Sequence, residues 1–429
     1  MFNLNNVYAC LHFDERMLAL LVIEYKHGIP YYLHEHIENL KVDQSNNIFS
    51  NDEWEKKVKR VIEISEKKLG LKFTKLSVSI NDALVSEIKT KEIKVINLAL
   101  SNVESTTKSA YNKLQKYIKT KHLHNYIYSD AKLLQINDEN NKNIPVDQVK
   151  IGTKISSVWK IVYCSKKPCD RIIKVIEDCG VDVANISVSS ENLPQLIKSK
   201  SVENVIVVSV GKTQTKVLLV KGSAVIKQKN LDYSIDNMIT YIKNECISKN
   251  VIFNENEIYK MLRQSAVIQK LGISDVKIFC ETNDKFLSFN VIGTSDICEF
   301  YHRYTTRLIN LVNTVADELI TTSIDKTYVY FVFVDSFHRH ILPKITNKLQ
   351  NNNFKYHVLN FDLIVNTNQQ LIFPFAAILN LIENQKMLNK YCYSIDPYYD
   401  RDYELVAVKK NQRINFNKTM NVLIQKIVK

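Results

Sequence analysis

A pattern that occurs twice constrains this chain more than any other feature. Residues 7–13, 17–25 and 31–37 read as three β-strands joined by short polar turns. In 52–69, Trp54, Val58, Val61 and Ile62 recur at helical spacing up to Gly70, so a helix follows the strands. The same order returns at 205–210, 215–220 and 224–229, followed by a helix over 234–249. A meander-plus-helix unit must cover its sheet with other elements. Two copies predict two similar α/β lobes descended from one unit.

Each lobe carries additional material. Residues 83–154 read as an insertion into the first lobe: a helix over 101–120, strands near 123–129 and 132–136, and a polar loop at 137–143. Strand 155–163 and helix 168–179, which opens with Pro168 and closes before Gly180, return the chain to that lobe. In the second lobe, helices near 254–264 and 295–322 flank a small strand pair at 276–280 and 285–292, a second insertion. The apolar run 328–334 suits a central strand covered on both faces. Residues 374–383 form the last core helix, and the tyrosine- and charge-rich stretch 385–412 suits a linker.

Composition excludes several classes. A chain of 429 residues, 45% hydrophobic, exceeds a single core. Its 8 glycines are about 2% of the chain, against an average of ~7%, which disfavours glycine-built phosphate loops. The net charge of +13 comes with abundant Lys, Asn and Ile, a pattern of coding bias, and no nucleic-acid-binding module accompanies it. Eight cysteines without CxxC spacing exclude the common zinc ribbons, and a disulfide framework is not expected in so long a chain. No basic segment precedes an apolar run at the N-terminus, and the apolar runs at 17–23 and 371–382 are shorter than the ~20 residues of a membrane span. A cytoplasmic chain with at most peripheral membrane contact is expected.

Two meander lobes with insertions describe the actin/hexokinase type of ATPase, and one branch fits further. Lys154–Ser190, KISSVWKIVYCSKKPCDRIIKVIEDCGVDVANISVSS, resembles FtsA, the bacterial cell-division actin that anchors FtsZ filaments. That family has there a strand, a break, a helix ending in Cys-Gly, and a further strand. Residues 143–156 are similar to the segment before it, and 296–319 to a long helix with Glu-Pro-Arg-Tyr and Leu-Val-Asn steps. The resemblance spans essentially the whole chain. It implies an actin-like fold (ribonuclease H-like, duplicated) in an α/β two-lobed arrangement. The first lobe would be 1–83 and 155–200, with an inserted subdomain over 84–154. The second lobe would be 201–232 and 318–385, with a partner-binding insertion over 233–317. A linker over 386–412 and a membrane-targeting helix over 413–429 complete the chain.

The phosphate loops depart from that family. Where it has an aspartate, a glycine and a Thr/Ser pair, this chain has His12, Asp14, Glu15 and Arg16. The second loop, Asp-Ile-Gly-Gly-Gly-Thr in the family, reads Ser209, Val210, Gly211, Lys212, Thr213, Gln214. The adenosine loop, Thr-Gly-Gly in the family, reads Val334, Asp335, Ser336, and the glycines opening the next helix are replaced near Ser234 and Ile235. Both Mg²⁺ aspartates and all but one of the backbone-exposing glycines are gone. A pseudo-ATPase with no catalytic residue and no bound ATP or Mg²⁺ is expected. A rebuilt anion site from Lys212, Lys216 and Arg16 is the competing reading.

Other motifs have simpler readings. Gly211-Lys212-Thr213 lacks the upstream glycine of a P-loop and reads as a strand-to-strand turn. His34/His36, His338/His340 and His122/His124 lack companion ligands, so no metal is expected. Cys164 and Cys169 flank a turn before a helix N-terminus, where a thiolate is favoured, although a buried structural role is commoner. His302, Arg303 and Arg307 bring positive charge to the start of a long helix beside Phe300 and Tyr304. The resemblance places Arg303 on the arginine with which that family grips the FtsZ C-terminal tail. In 413–429, Phe416, Met420, Leu423, Ile424 and Ile427 share one helical face, with Lys418, Lys426 and Lys429 opposite, as in a helix lying on an anionic membrane.

Three functions stay open. An FtsA-like scaffold would hold FtsZ filaments on the inner face of the cell membrane at the division site, with possible self-association into actin-like filaments. A divergent ATPase of the same fold would need an intact nucleotide site. A PilM-like adaptor would bind a short peptide of a membrane protein.

Overall fold

Both meanders form, and each seeds a five-stranded sheet of the same order. The computed structural model describes residues 6–40, 52–85, 87–100, 103–120, 125–140, 143–144, 150–197, 204–249, 251–270, 276–281, 289–320, 327–333, 354–359, 371–388 and 395–397. In the first lobe β1 (Val7–Asp14), β2 (Met17–Lys26) and β3 (Ile29–Asn39) run antiparallel. Helix α1 (Glu53–Leu69) ends at Gly70, whose φ of 61° closes the helix in the left-handed region that glycine adopts without a Cβ penalty. The short β4 (Leu71–Phe73) and β5 (Lys75–Ile80) follow, and β5 lies parallel to β1.

The inserted subdomain comprises β6 (Ile88–Leu98), α2 (Val103–Thr120), β7 (Tyr126–Asn137), β8 (Asn143–Ile144) and β9 (Lys154–Ser165) in one sheet of order β6-β9-β7-β8. Strands expected separately near 123–129 and 132–136 are one strand, β7, which absorbs the interruption as two register shifts. Strand 155–163, expected in the first lobe, pairs with β6 and β7 and so belongs to the inserted sheet. Trp159 and Ile161 on β9 pack with Tyr111 and Leu114 of α2 in a separate small core, which is why the strand stays there. Helix α3 (Lys166–Glu177) and β10 (Asp182–Val188) then complete the first sheet, in order β10-β5-β1-β2-β3.

After the short α4 (Ser189–Asn192), β11 (Asn204–Val210), β12 (Thr215–Lys221) and β13 (Ala224–Leu231) repeat the antiparallel meander. Helices α5 (Ile235–Ser248) and α6 (Glu255–Lys270), the pair β14 (Lys277–Glu281) and β15 (Phe289–Gly293), and the long α7 (Thr294–Leu319) form the second insertion. Strands β16 (Thr327–Phe333) and β17 (Phe354–Val358) are added parallel to β11, giving the order β13-β12-β11-β16-β17. The two sheets share one connectivity: a meander extended by two parallel strands beyond its first strand. This is the duplicated, actin-like, two-lobed α/β fold.

The last helix, α8 (Ile372–Leu388), was expected in the second lobe, yet it packs on β1, β2, β5 and α4 of the first. Its IFPFAAILNLI sequence is apolar all round, so it is stable only with protein on every side. The apolar core accordingly runs from the inner face of β1 and β2 through Phe373, Phe375 and Ile378 into Val205–Val208. The expected linker is shorter than read from sequence: α8 continues to Leu388, and β18 (Ile395–Pro397) pairs antiparallel with β4. Residues 413–429, with the whole predicted membrane face, lie outside the described residues, as do Asp335, Ser336 and the His122/His124 and His338/His340 pairs.

Candidate functional site between the lobes

Strand alternation decides where His12 points. Along β1, Val7, Ala9, Leu11 and Phe13 enter the core under α1 and α3, whereas Tyr8 and Cys10 enter the core shared with α8. His12 has the parity of Tyr8 and Cys10. Its ring stacks on Phe373, with centroids 5.3 Å apart and planes at 15°. Its Nδ1 lies 3.1 Å from Ser79 Oγ, and Nε2 is buried with no hydrogen-bond partner among the described residues. Burial pushes the imidazole down to about 4 against the opposing pull of Asp14, so the ring is neutral at neutral pH.

Asp14 pairs with Met17 in the β1–β2 ladder, which makes Glu15 and Arg16 a two-residue hairpin loop facing the second lobe. The Asn81 amide donates to Asp14. Thr213 Oγ1 donates to the Glu15 carboxylate at 2.6 Å, and Arg16 Nη2 lies 3.1 Å from Asp236 Oδ2. Burial raises the Glu15 carboxyl to about 7, the Thr213 hydrogen bond working against it. Burial also raises the Asp236 carboxyl, with Arg16 and Lys212 opposing. The carboxyl groups of Glu15 and Asp236 are therefore bonded across the two lobes.

The β11–β12 turn is tight. Gly211 N–H donates to the Gln214 carbonyl at 2.9 Å, and a Cβ on Gly211 would fall 2.8 Å from that oxygen. Glycine is retained for the turn itself, as the strand-to-strand reading of this segment expects. The turn's carbonyls face the start of α5. Ile235 N–H donates to Gly211 O at 3.1 Å and Asp236 N–H to Lys212 O at 2.9 Å. Asn237 N–H donates to Ser234 Oγ at 3.0 Å, and Met238 N–H to Ser234 O at 3.0 Å. An α-helix leaves four N–H groups without intrahelical partners, and such groups form the anion sites at helix N-termini. Here three of the four, those of Ile235, Asp236 and Asn237, are bonded within the chain, and the Met238 N–H makes the first bond of the helix itself.

The cations of the competing anion-site reading are engaged as well. Lys216 Nζ bonds Asp82, which begins a 3-10 turn, Asp82–Leu84, after β5. Asp82 also accepts from Ser190 N–H at 3.1 Å and from the hydroxyls of Ser189 and Ser190 at 3.2 and 2.5 Å. Of the three cations, Arg16 and Lys216 thus face carboxylates, and Lys212 acts on Asp236. Ser209, in the family's aspartate position, lies in β11 between Lys216 and Val332. Sequence reading found the two hairpin turns but missed Asp82, Asp236 and Phe373. The first sits after a strand, β5, that was not anticipated, and the last on a helix assigned to the other lobe.

A second buried polar centre joins the inserted sheet to α4 and α8. Lys160 Nζ lies 2.6 Å from Glu191 Oε1 and 2.9 Å from the Val225 carbonyl. Asn380 donates to Asp130 at 2.7 Å and to Asn192 at 2.9 Å, and accepts from Lys132. Burial raises the Glu191 carboxyl, and Lys160 opposes the shift.

On α7, Arg303 Nη2 lies 2.5 Å from Glu299 and Nη1 lies 3.9 Å from Glu245, with the side chain 56% exposed. His302 and Arg307 are also exposed. Phe300 and Tyr304 are buried, Tyr304 stacking on Tyr241 at 5.2 Å, so the basic surface does not present the apolar neighbours read beside it. His34 contacts Ser65 at 3.1 Å and His36 contacts Glu38 at 3.2 Å. Among the described residues no group of three or more His, Cys, Asp or Glu could hold a metal ion, and no helix is long and apolar enough to cross a membrane.

No protein-family model matches the chain, and no curated protein does. Among solved structures it is similar to a chain of the PilM-PilN type IV pilus biogenesis complex, with TM-score 0.49 and 12% identity over 89% of this chain and 98% of that one. It is similar to the ethanolamine utilization protein EutJ from Carboxydothermus hydrogenoformans, with TM-score 0.48 and 9% identity over 87% of this chain and 89% of that one. It is also similar to Bacillus thuringiensis ParM with ADP, with TM-score 0.41 and 9% identity over 89% and 99%. Likeness at this level bears on fold alone. The sheet order carries the fold assignment.

Proposed function

We propose that this protein is an actin-fold scaffold without ATP turnover that links FtsZ-type filaments to the inner face of the cell membrane. The observation behind the loss of turnover is the start of α5, where the N–H groups of Ile235, Asp236 and Asn237 are bonded to Gly211, Lys212 and Ser234. Those three donors are not offered to a phosphate, and His12 and Ser209 supply no carboxylate for Mg²⁺. The reading takes the nucleotide site to be empty and the protein to act by holding partners. The anchoring half is supported by the sequence resemblance and by the basic amphipathic segment 413–429. One copy would bind anionic lipid reversibly, and an array on a filament, or self-association of the scaffold, would make attachment durable.

The test has two arms. Purified full-length protein should show no ATP hydrolysis above background and no rise in melting temperature with millimolar Mg·ATP, since a bound ligand stabilises by RT ln(1 + [L]/Kd). It should sediment with anionic liposomes, recruit FtsZ to them, and lose both properties when 415–429 is removed. A clear ATP-induced rise in melting temperature overturns the first arm; undiminished liposome binding by the truncated chain overturns the second.

A second reading is an adaptor that holds a short peptide of a membrane protein. A cavity of about 650 Å³ lies where the inserted sheet meets α3, lined by Glu87, Tyr126, Ser165, Lys166 and Arg171 among others. Failure to recruit FtsZ with peptide capture retained would select it.

A further inference from the structure

Cys164 and Cys169 are far closer than their roles in separate elements require. Cys164 closes β9 of the inserted sheet, and Cys169 lies in the first turn of α3 in the first lobe, with Ser165 as the helix N-cap between them. Their sulfurs are 3.4 Å apart, and both residues are fully buried among Ile172, Val175 and Ile176. A disulfide needs about 2.05 Å, so closing the pair requires the sulfurs to approach by roughly 1.4 Å.

The two sulfurs are not equivalent. Hydrogen bonding from Cys169 draws the Cys164 thiol down against the opposing effect of burial, whereas that bond and burial push Cys169 up. The first turn of α3 carries Lys166 and Lys167 and no acidic residue. The helix dipole adds to the preference for a thiolate on Cys164. The cavity described above is lined by Ser165, Lys166 and Lys167, the chain neighbours of the pair, and neither cysteine itself lines it.

We propose that Cys164 and Cys169 are a redox-active dithiol that a hydroperoxide converts to a disulfide tying the inserted subdomain to the first lobe. The Cys164 thiolate attacks the terminal peroxide oxygen. The O–O bond breaks, the leaving alkoxide takes a proton to become an alcohol (water, from hydrogen peroxide), and Cys164 becomes a sulfenic acid. The sulfur of Cys169 then attacks that of Cys164, its proton leaves with the hydroxyl as water, and the S–S bond forms. The dithiol loses two electrons and the peroxide gains them.

The experiment uses the full chain, hydrogen peroxide as oxidant, an alkylating quench, and mass spectrometry of the digested protein. The half-buried Cys179 and Cys298 serve as internal controls. The Cys164–Cys169 disulfide should form at least about tenfold faster than either control is oxidised, and dithiothreitol should reverse it. In C169S, dimedone should trap a sulfenic acid on Cys164; in C164S, Cys169 should gain no comparable adduct. Melting curves of both variants, and of C164A and C169A, establish that they fold. If Cys164 and Cys169 in the wild-type protein stay alkylatable for as long as Cys179, the proposal is overturned whatever the variants do. Preferential sulfenic acid on Cys169 would overturn the assigned order of attack.

Discussion

Thr213 donates a 2.6 Å hydrogen bond to Glu15 across 198 positions of sequence, joining the first hairpin turn of one lobe to the first hairpin turn of the other. The two turns occupy corresponding places in the duplicated unit, where a nucleotide-binding relative would hold phosphates apart from both. Here they touch. Glu15 is buried, and its carboxyl is raised from 4.5 to about 7. A raised value means stability that is complete below about pH 4.5 and is lost as pH climbs through about 7. Glu15→Gln keeps an acceptor for Thr213 and removes the titration. Urea denaturation between pH 5 and 8.5 should therefore find the variant more stable than wild type above neutrality, by about 3 kcal/mol at most, with the gap closing toward acid. Parallel curves would show that the carboxylate remains solvated.

His12 carries the opposite slope. Its imidazole is lowered from 6.5 to about 4, so it contributes stability above about pH 6.5 that is lost as pH falls through about 4. The Glu15→Gln variant, free of the opposing titration, should expose this acid limb more clearly. His12→Asp, which installs the aspartate of the family that the sequence resembles, should destabilise the protein by about 3 kcal/mol or more, because it places a second carboxylate beside Asp14 under Phe373. It should not produce ATP turnover, since the α5 donors stay engaged. Gain of hydrolysis in this variant would mean that a single side chain had silenced the site.

Asp82 holds Lys216 of the second lobe and both serines that open α4. Asp82→Ala strands a buried ammonium group and should cost about 3–5 kcal/mol. Adding Lys216→Met should recover much of that loss, and chemical denaturation of the single and double variants measures the coupling. Additive losses would show that the pair contributes little.

Arg303 remains the test of the partner surface. Arg303→Glu would face Glu299 and Glu245 without unfolding the helix, because the side chain is exposed. Binding of an FtsZ C-terminal tail peptide, followed by calorimetry, should weaken by about 2–5 kcal/mol if a carboxylate of the tail displaces those internal partners. Equal affinities would leave Arg303 as a surface residue serving only its own helix.

Much of this architecture is legible in the sequence. The duplicated meanders, α1 with its stop at Gly70, and α5 follow from local periodicity and cap residues. Strands β5, β6 and β17 were not anticipated. Lys75–Ile80 and Phe354–Val358 are too short for a clear alternation, and in Ile88–Leu98 exposed Lys89–Glu92 run together while Ile96 and Leu98 face outward, which breaks the alternation. At the site, the missing glycines and aspartates were visible as substitutions, but nothing local marked Asp82 or Asp236 as the partners of Lys216 and Arg16.

The sequence by itself determined the two meanders and their repetition, most of the helices, and which phosphate-loop residues are absent, because each depends on neighbours within a few positions. Only the tertiary structure decided that β9 stays with the inserted sheet, that α8 crosses back to the first lobe, and that Glu15, Arg16 and Asp82 bond Thr213, Asp236 and Lys216. Those outcomes depend on which apolar faces find cover and which buried charges find partners. Both are properties of surfaces brought together from distant parts of the chain, and no local pattern encodes them.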